Sequence, residues 1–440
     1  MKDVLRNIIT KRNKGIHSGI PSYCTANSLV IEAILEQAQR FDDSVIIEAT
    51  ANQVNQFGGY TGMKPQDFAD FVYEIANNIG FDLEHIILGG DHLGPLTWSA
   101  LPEEEAMRNS IELVQLFVKA GFKKIHLDTS MKLGSDSPNT PLSDQIIAQR
   151  GVLLYMACEE AFQELLQKNP QEAHPIFIIG SEVPIPGGAK DEETVQVTNP
   201  LAFESTVQVY KEAFLSHGIT NAFDYIIAVV VQPGVEFGDT EIAHYNSFSA
   251  KKLCNALKKH PNLVFEGHST DYQTPEELKK MVTDGIAILK VGPALTFSLR
   301  EGLFSLSAIE NELIPEEKRS HFIEILEQVM LDSPVNWKTH YHGTDNELQI
   351  KRKYSFSDRS RYYMNQEAVQ NSIDRLFHNL DETGIPLSML HQFLPLQYIK
   401  VRDGKLPCNA RALAKDCVVT LVDDYNYAVK TNYMIGSIFA

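Results

Sequence analysis

Residues 84 to 95 read EHIILGGDHLGP, an apolar run that passes through two glycines into an acid and an imidazole before a Gly-Pro turn. Ile86, Ile87 and Leu88 form a continuous aliphatic stretch, the pattern of a strand buried on both faces in a parallel sheet. Gly89 and Gly90 leave space beside the backbone for a close neighbour. Asp91 and His92 come where such a strand ends. A carboxylate next to an imidazole can hold a metal or move a proton, while an isolated Asp-His pair also serves simply to cap a loop. The rest of the chain bears on the choice, because it repeats the pattern.

Working outward, eight apolar, β-branched runs stand at 19–24, 44–50, 85–91, 124–130, 175–182, 224–232, 263–268 and 286–292. Between them lie amphipathic stretches such as SLVIEAILEQAQRF, PQDFADFVYEIANNIG, AMRNSIELVQLFVKAG and TPEELKKMVTDG. Several end in glycine before the next run, as a helix C-cap should. Eight β/α alternations predict one (β/α)8 TIM barrel, for which about 250 residues is the usual size. The competing doubly wound sheet lacks its signature, since no G-x-G-x-x-G opens a helix. Past residue 300 the alternation stops, and LFSLSAIENELIP, SHFIEILEQVML, QEAVQNSIDRLFHNL and ALAKDCVVTLVDDYNYAVKT predict helices only. The expected organisation is therefore α/β, a barrel over residues 1–300 and an α-helical C-terminal extension over 301–440 packed on it.

Composition narrows the function classes. The 440 residues are 43% hydrophobic and 22% charged, ordinary for a soluble globular chain. With 57 acidic against 39 basic residues the formal charge is −18, which repels nucleic acid and anionic membranes. The five cysteines form no C-x-x-C and are odd in number, which predicts reduced thiols and a cytoplasmic protein. No apolar run approaches the ~18 residues of a membrane span, and MKDVLRNIITKRNKG lacks the apolar centre of a secretion signal.

In a barrel of this kind catalytic groups sit at the C-terminal ends of several strands. Polar residues recur there: Glu48 followed by Asn52, Gln53 and Gln56, then Asp91-His92, His126 and Asp128, Glu182, Gln232, Glu266 through Asp271, and Lys290. Buried charges are costly unless paired or bound to metal, so this recurrence predicts an active site. His92, Glu182, Glu266 and His268 form the candidate metal set, suited to zinc first and to manganese or a similar divalent ion second. Glu266 and His268 share a face at strand spacing, and the absence of Cys points to a catalytic rather than a closed structural site. Asp91, Glu182 and Asp128 are the candidate catalytic groups, with Asp91 expected to point to the other side of the strand end from His92. Asn52, Gln53, Gln232, Ser269, Asp271, Lys290 and Arg359 are the candidate substrate-binding groups.

For a phosphate, the loops after strands seven and eight offer Gly267, Ser269, Thr270, Gly292 and Thr296. Arg359 and Arg361 of SFSDRSRYY either close over the same mouth or form a solvated basic patch. His126 has two readings, a residue of the mouth or a core histidine facing the helices. Glu48 has the alternative reading of a barrel-interior carboxylate paired with Lys290.

The strings IEATANQVNQFGGYTGM, ILGGDHLGP, KIHLDTSM, GSEVPIPGG, VVVQPGVEF, EGHSTDYQT, ILKVGPALTF and YSFSDRSRYY resemble, in order and over nearly the whole length, the GatZ/KbaZ family. These are the so-called non-catalytic subunits of class II D-tagatose-1,6-bisphosphate aldolase. The resemblance implies a barrel, a place in tagatose, galactitol or N-acetylgalactosamine breakdown, and a Y-type class II aldolase as partner. Similar proteins look like stand-alone metal-dependent 4-epimerases of tagatose, fructose or their 6-phosphates. Members also carry a tagatose-6-phosphate kinase label, which the absence of any GxxxxGK[ST] loop does not support. A more distant likeness to the catalytic class II aldolases implies a proton-handling role for Asp91 and metal ligation by His92, with Glu182 matching their Glu before a Gly-Gly turn. Gln232 and Glu266 stand where those enzymes carry further metal histidines. The expected function is the aldolase subunit, and the alternative is the epimerase, acting on a ketohexose or its phosphate by retro-aldol and aldol steps. Homo-oligomerisation is left open.

Overall fold

Eight parallel strands pair in chain order and close between the first and the last: β1 Ile20–Cys24, β2 Val45–Thr50, β3 Ile86–Leu93, β4 Lys124–Leu127, β5 Ile176–Ile179, β6 Ile226–Val231, β7 Val264–Gly267 and β8 Ile286–Val291. Each overlaps one of the eight runs read from the sequence, and the architecture is the (β/α)8 barrel expected. The computed structural model describes residues 4–181 and 195–430. A short antiparallel hairpin, Glu236–Phe237 with Ile242–Ala243, interrupts the loop after β6. Two residues per strand are too few to leave an alternation in the sequence.

The strands are apolar on both faces because each face meets a different core. On β5, Ile176 and Ile178 point into the barrel with Ile46, Ile87, Val230 and Ile288. Phe177 and Ile179 point out to the helices. The inner cluster occupies the N-terminal half of the barrel, where the helix Val4–Asn13 adds Leu5 and Ile8. Arg12 pins that helix in place by donating to the carbonyls of Leu257 (2.9 Å), His260 (3.2 Å) and Leu263 (2.8 Å). Each such aliphatic side chain taken from water contributes roughly 1.5–3 kcal/mol before entropy is counted.

The outer helices begin and end on local signals. Asn27 accepts from Val30 N to start Ser28–Gln39. Thr274 and Glu277 form a capping box at Pro275–Asp284, which Gly285 ends at φ 104°. Helix Pro293–Leu313 follows β8 and runs across residue 300. Helix Ala410–Val429 packs against β1 and against the helices Ser28–Gln39, Pro275–Asp284 and Pro293–Leu313. Lys415 bonds Glu32 (2.6 Å) and Glu36 (2.7 Å), and the Tyr425 hydroxyl donates to the Thr270 carbonyl (3.0 Å). The outer layer of the barrel thus draws on residues from both sides of the 300/301 division. Among the described residues no helix is long and apolar enough to cross a membrane.

Candidate active site

Above the aliphatic half of the barrel its interior becomes ionic. Glu48, Gly89 and Lys124 sit side by side in the register of β2, β3 and β4. A Cβ on Gly89 would lie 2.5 Å from Glu48 Oε1, so only glycine lets the Glu48 side chain cross β3. Lys124 Nζ then meets Glu48 Oε1 at 2.6 Å and Glu266 Oε2 at 2.8 Å. Lys290 Nζ bonds the other Glu48 oxygen and meets Asp91 Oδ2 at 2.8 Å. The charges alternate as Asp91, Lys290, Glu48, Lys124, Glu266, all buried, each with an opposite neighbour. Such a layer is tolerable only because every member is paired. The Glu48–Lys290 pair is the one read from the sequence. Lys124 was not singled out there, although its place two residues before His126 puts both on one face of β4.

At the C-terminal rim three imidazoles stand edge to face. Ring centroids of His92, His126 and His268 are 5.1, 5.0 and 5.2 Å apart in the pairs His92–His126, His92–His268 and His126–His268. Each has a carboxylate behind one nitrogen: His92 Nδ1 at 2.7 Å from Asp128 Oδ2, His126 Nδ1 at 2.9 Å from Asp91 Oδ1, and His268 Nε2 at 3.0 Å from Glu266 Oε1. For His92 and His268 that is the arrangement by which an outer carboxylate fixes the ring and frees the second nitrogen for a metal, while His126 Nδ1 also accepts from His92 N at 3.1 Å. His126 Nε2 is buried with no hydrogen-bond partner. Ligand atoms of Asp91, His92, His126 and His268 lie within 4.8 Å of one another, and this donor set is compatible with a divalent ion. Burial pushes the His268 imidazole down to about 4 despite Glu266, which keeps it neutral. Burial favours neutral Asp91, but His92, Lys290 and the bond to His126 hold its carboxyl well below the usual range.

Adjacent strand residues point to opposite faces, yet Asp91 and His92 join one cluster. The cause is local: the β3–β4 register shifts between Gly90 and Leu93, and His92 takes φ 48°. A bulge of this kind re-aims side chains at an active site. The expected divergence of Asp91 and His92 is therefore corrected. Gly94 closes the bulge, since a Cβ there would lie 1.8 Å from the Asp128 carbonyl oxygen. Ser269 (φ 53°), Tyr272 (φ 63°) and Asp358 (φ 40°) add further left-handed backbone around the same mouth, where strain is commonly stored.

The compact cluster differs from the set expected to hold metal. His92 and His268 belong to both; His126, facing inward, enters, and Glu266 stands behind His268 and on Lys124. Glu266 Oε1 faces His268 and its Oε2 faces Lys124. Glu182 lies outside the described residues. Asp128 sits behind His92 and also accepts from Ser130 Oγ (2.7 Å). Of the expected substrate-binding residues, Asn52, Gln53, Ser269, Asp271 and Lys290 line the cavity with Asp91, His92 and His268. Gln232 is turned onto its own loop, accepting from Gly234 N (2.8 Å) and Val235 N (3.0 Å). Arg359 is buried away from the cavity, donating to the Asn336 carbonyl (3.2 Å). Its neighbours Arg361 and Tyr362 line the cavity instead. A turn with Asp358 at positive φ sets which arginine faces in, and no periodicity in SFSDRSRYY signals it.

A larger cavity, about 400 Å³, opens at the opposite end of the barrel among Val4, Ile8, Lys11, Val45, Asn426 and Lys430. It holds no cluster of ligating groups among the described residues.

Among the solved structures that resemble the chain, three illustrate the range. A probable tagatose 6 phosphate kinase from Sinorhizobium meliloti 1021 shares 43% identity and covers 94% of this chain and 100% of its own, with a TM-score of 0.85. The YdjI aldolase from Escherichia coli K12 shares 11% over 86% of this chain and 98% of its own, at a TM-score of 0.39. A fructose-bisphosphate aldolase from Campylobacter jejuni shares 15% over 86% and 93%, also at 0.39. The two aldolases are too distant to carry an argument. The sequence model of the D-tagatose-1,6-bisphosphate aldolase subunit GatZ/KbaZ-like family matches residues 5–430. A match of that extent, with the Sinorhizobium structure beside it, makes this chain a member of the GatZ/KbaZ-like family.

Proposed function

We propose that the chain is a GatZ/KbaZ-type subunit of a class II D-tagatose-1,6-bisphosphate aldolase, working in tagatose, galactitol or N-acetylgalactosamine catabolism, with a metal-dependent site of its own at the barrel mouth. The observation that carries the site is the triangle of imidazoles, each backed by a carboxylate and each with its second nitrogen left over. His92 Nε2, His126 Nε2 and His268 Nδ1 would hold the ion, and three imidazoles suit zinc, with manganese or a similar ion as second choice. When bound, the ion supplies Lewis-acid polarisation of the ketose carbonyl.

The remaining work falls to side chains of this chain. Asp91 lines the cavity and is the group placed to exchange the proton of the C4 hydroxyl. Lys290, at 2.8 Å, balances its charge. Ser269, Asn52 and Gln53 offer hydrogen bonds to the other hydroxyls. C4 of a 2-ketose is β to the carbonyl, so its hydrogen is not acidic, but the C3–C4 bond is the one that a retro-aldol step breaks. Release of the two halves after that step is aldolase chemistry. Rotation of the aldehyde followed by rejoining inverts C4.

A second reading, a stand-alone 4-epimerase of tagatose, fructose or their 6-phosphates, is favoured by the presence of the cluster and the cavity within a single chain. Neither reading involves a kinase.

The test is to incubate the purified chain with tagatose 6-phosphate or tagatose 1,6-bisphosphate, with and without divalent metal, alone and with a Y-type aldolase. Formation of the C4 epimer by the chain alone selects the epimerase. Activation of the aldolase without turnover by the chain alone selects the subunit. Absence of metal, turnover and activation together would sink both readings.

A further inference from the structure

Barrels of this class bind phosphate with the loops after strands seven and eight and a nearby helix N-terminus. Here the backbone donors of that helix N-terminus and the hydroxyls of Thr270 and Thr296 are already taken. Asp271 Oδ1 accepts from Gly292 N (3.0 Å) and Ala294 N (2.9 Å), at the start of helix Pro293–Leu313. The Thr270 hydroxyl donates to the Lys290 carbonyl (2.6 Å) and that of Thr296 to Asp358 Oδ2 (2.7 Å). A protein carboxylate therefore occupies the place of the anion, and a second anion there meets like charge. Burial pushes Asp271 up to about 6, so it is largely ionised at neutral pH.

Two cations line the cavity among the described residues, and they differ. Lys290 is neutralised twice over, by Glu48 and Asp91. Arg361 donates only to neutral oxygens: the carbonyls of Ser357 and Asp358 (3.0 Å) and the Tyr362 hydroxyl (3.0 Å). No carboxylate of the described residues forms an ion pair with it. Those partners orient the guanidinium, and Asp271 and Asp358 act on its charge only at longer range, without an ion pair. The turn that carries it is anchored to the barrel, through Tyr362 against Tyr60 at 4.5 Å between ring centroids and through Asn365 Nδ2 donating to the Ala26 carbonyl (3.0 Å). An oriented guanidinium with no ion-pair partner among the described residues, lining the cavity that holds Asp91, His92 and His268, is a receptor for an oxyanion.

We propose that Arg361 binds the anionic terminus, phosphate or carboxylate, of the sugar that occupies this cavity, and that Asp271 denies that anion the helix N-terminus. The proposal rests on the reading that the cavity takes a ketohexose derivative. It makes the C-terminal region part of the specificity of the site rather than packing alone.

The test is calorimetric titration of the full chain, its metal content measured separately, with inorganic phosphate, tagatose 6-phosphate, tagaturonate and tagatose. Arg361→Met is expected to weaken the favoured charged sugar and phosphate roughly 10- to 100-fold, the size of one charge-assisted bond. A cooperative thermal transition and retained tagatose binding show that the variant is folded, and Arg361→Lys falls between in anion affinity. Comparing the 6-phosphate with the uronate tells which oxyanion is meant. Adding Asp271→Ala to Arg361→Met frees the helix N-terminus and should recover part of the phosphate affinity. Equal anion affinity in wild type and Arg361→Met, or wild type that binds tagatose as well as both charged sugars, overturns the proposal. Arg361-dependent anion binding by a chain without metal would leave it standing while the metal reading fails.

Discussion

The two halves of the barrel interior solve the same packing problem with opposite chemistry. Toward the N-terminal ends of the strands the space is filled by Ile46, Ile87, Ile176, Ile178, Val230 and Ile288, under a cover of Leu5 and Ile8. Toward the C-terminal ends it is filled by Glu48, Lys124, Glu266, Lys290 and Asp91, with three histidines above them. Both halves are buried, so water does not explain the difference. The aliphatic half contributes stability through transfer and dispersion, with no directional demand. The ionic half contributes little net stability, because the cost of desolvating its charges offsets their attraction. What it contributes is position, since each carboxylate behind an imidazole is itself held by a lysine or by another hydrogen bond.

The sharpest way to break this comparison is at Lys124. Lys124→Met leaves Glu266 and one Glu48 oxygen without their cation and is expected to destabilise the chain by about 3–5 kcal/mol in denaturant unfolding. Adding Glu266→Gln to that variant should cost much less than the sum of the two changes, because the pair is then removed together. A fully additive double variant would show that the layer is not coupled.

His126→Ala tests the rim itself. Loss of a ligating nitrogen should lower divalent-metal affinity by at least ~100-fold, since even outlying partners of a ligand cost 10–100-fold. Metal content equal to wild type would remove His126 from the centre.

Glu266→Gln sharpens the assignment of that residue. Standing behind His268, it should weaken metal binding about 10–100-fold without abolishing it. A complete loss would return Glu266 to the centre as a direct ligand.

The smallest effect belongs to the aliphatic half. Ile178→Val should cost about 0.5–1.5 kcal/mol and leave metal affinity unchanged. A change in metal binding there would mean that the two halves are not independent.

Much of the barrel was legible because its signals are local. A strand such as IIL in β3 is apolar on both faces, a helix start such as Thr274–Glu277 carries its own cap, and the alternation of the two repeats eight times. The residue types of the mouth were legible for the same reason, since ionisable side chains at the ends of apolar runs need a partner or a ligand. Family membership also lay in the linear order of strings such as ILGGDHLGP and EGHSTDYQT.

Pairings across the barrel were not legible, because they depend on register. Lys124 meets Glu48 only because Gly89 lies between them without a side chain. Asp91 and His92 share a cluster only because a bulge cancels the alternation that sequence spacing assumes. His126 had two faces to choose from, and strand order and tilt chose the interior. Arg361 rather than Arg359 reaches the cavity because of one left-handed residue, Asp358. Composition and periodicity by themselves determined which elements form and which chemistry they carry. Which side chains meet was decided by the closure of the barrel and by a few backbone positions at positive φ, since contact between distant residues is a property of three dimensions that no one-dimensional period encodes.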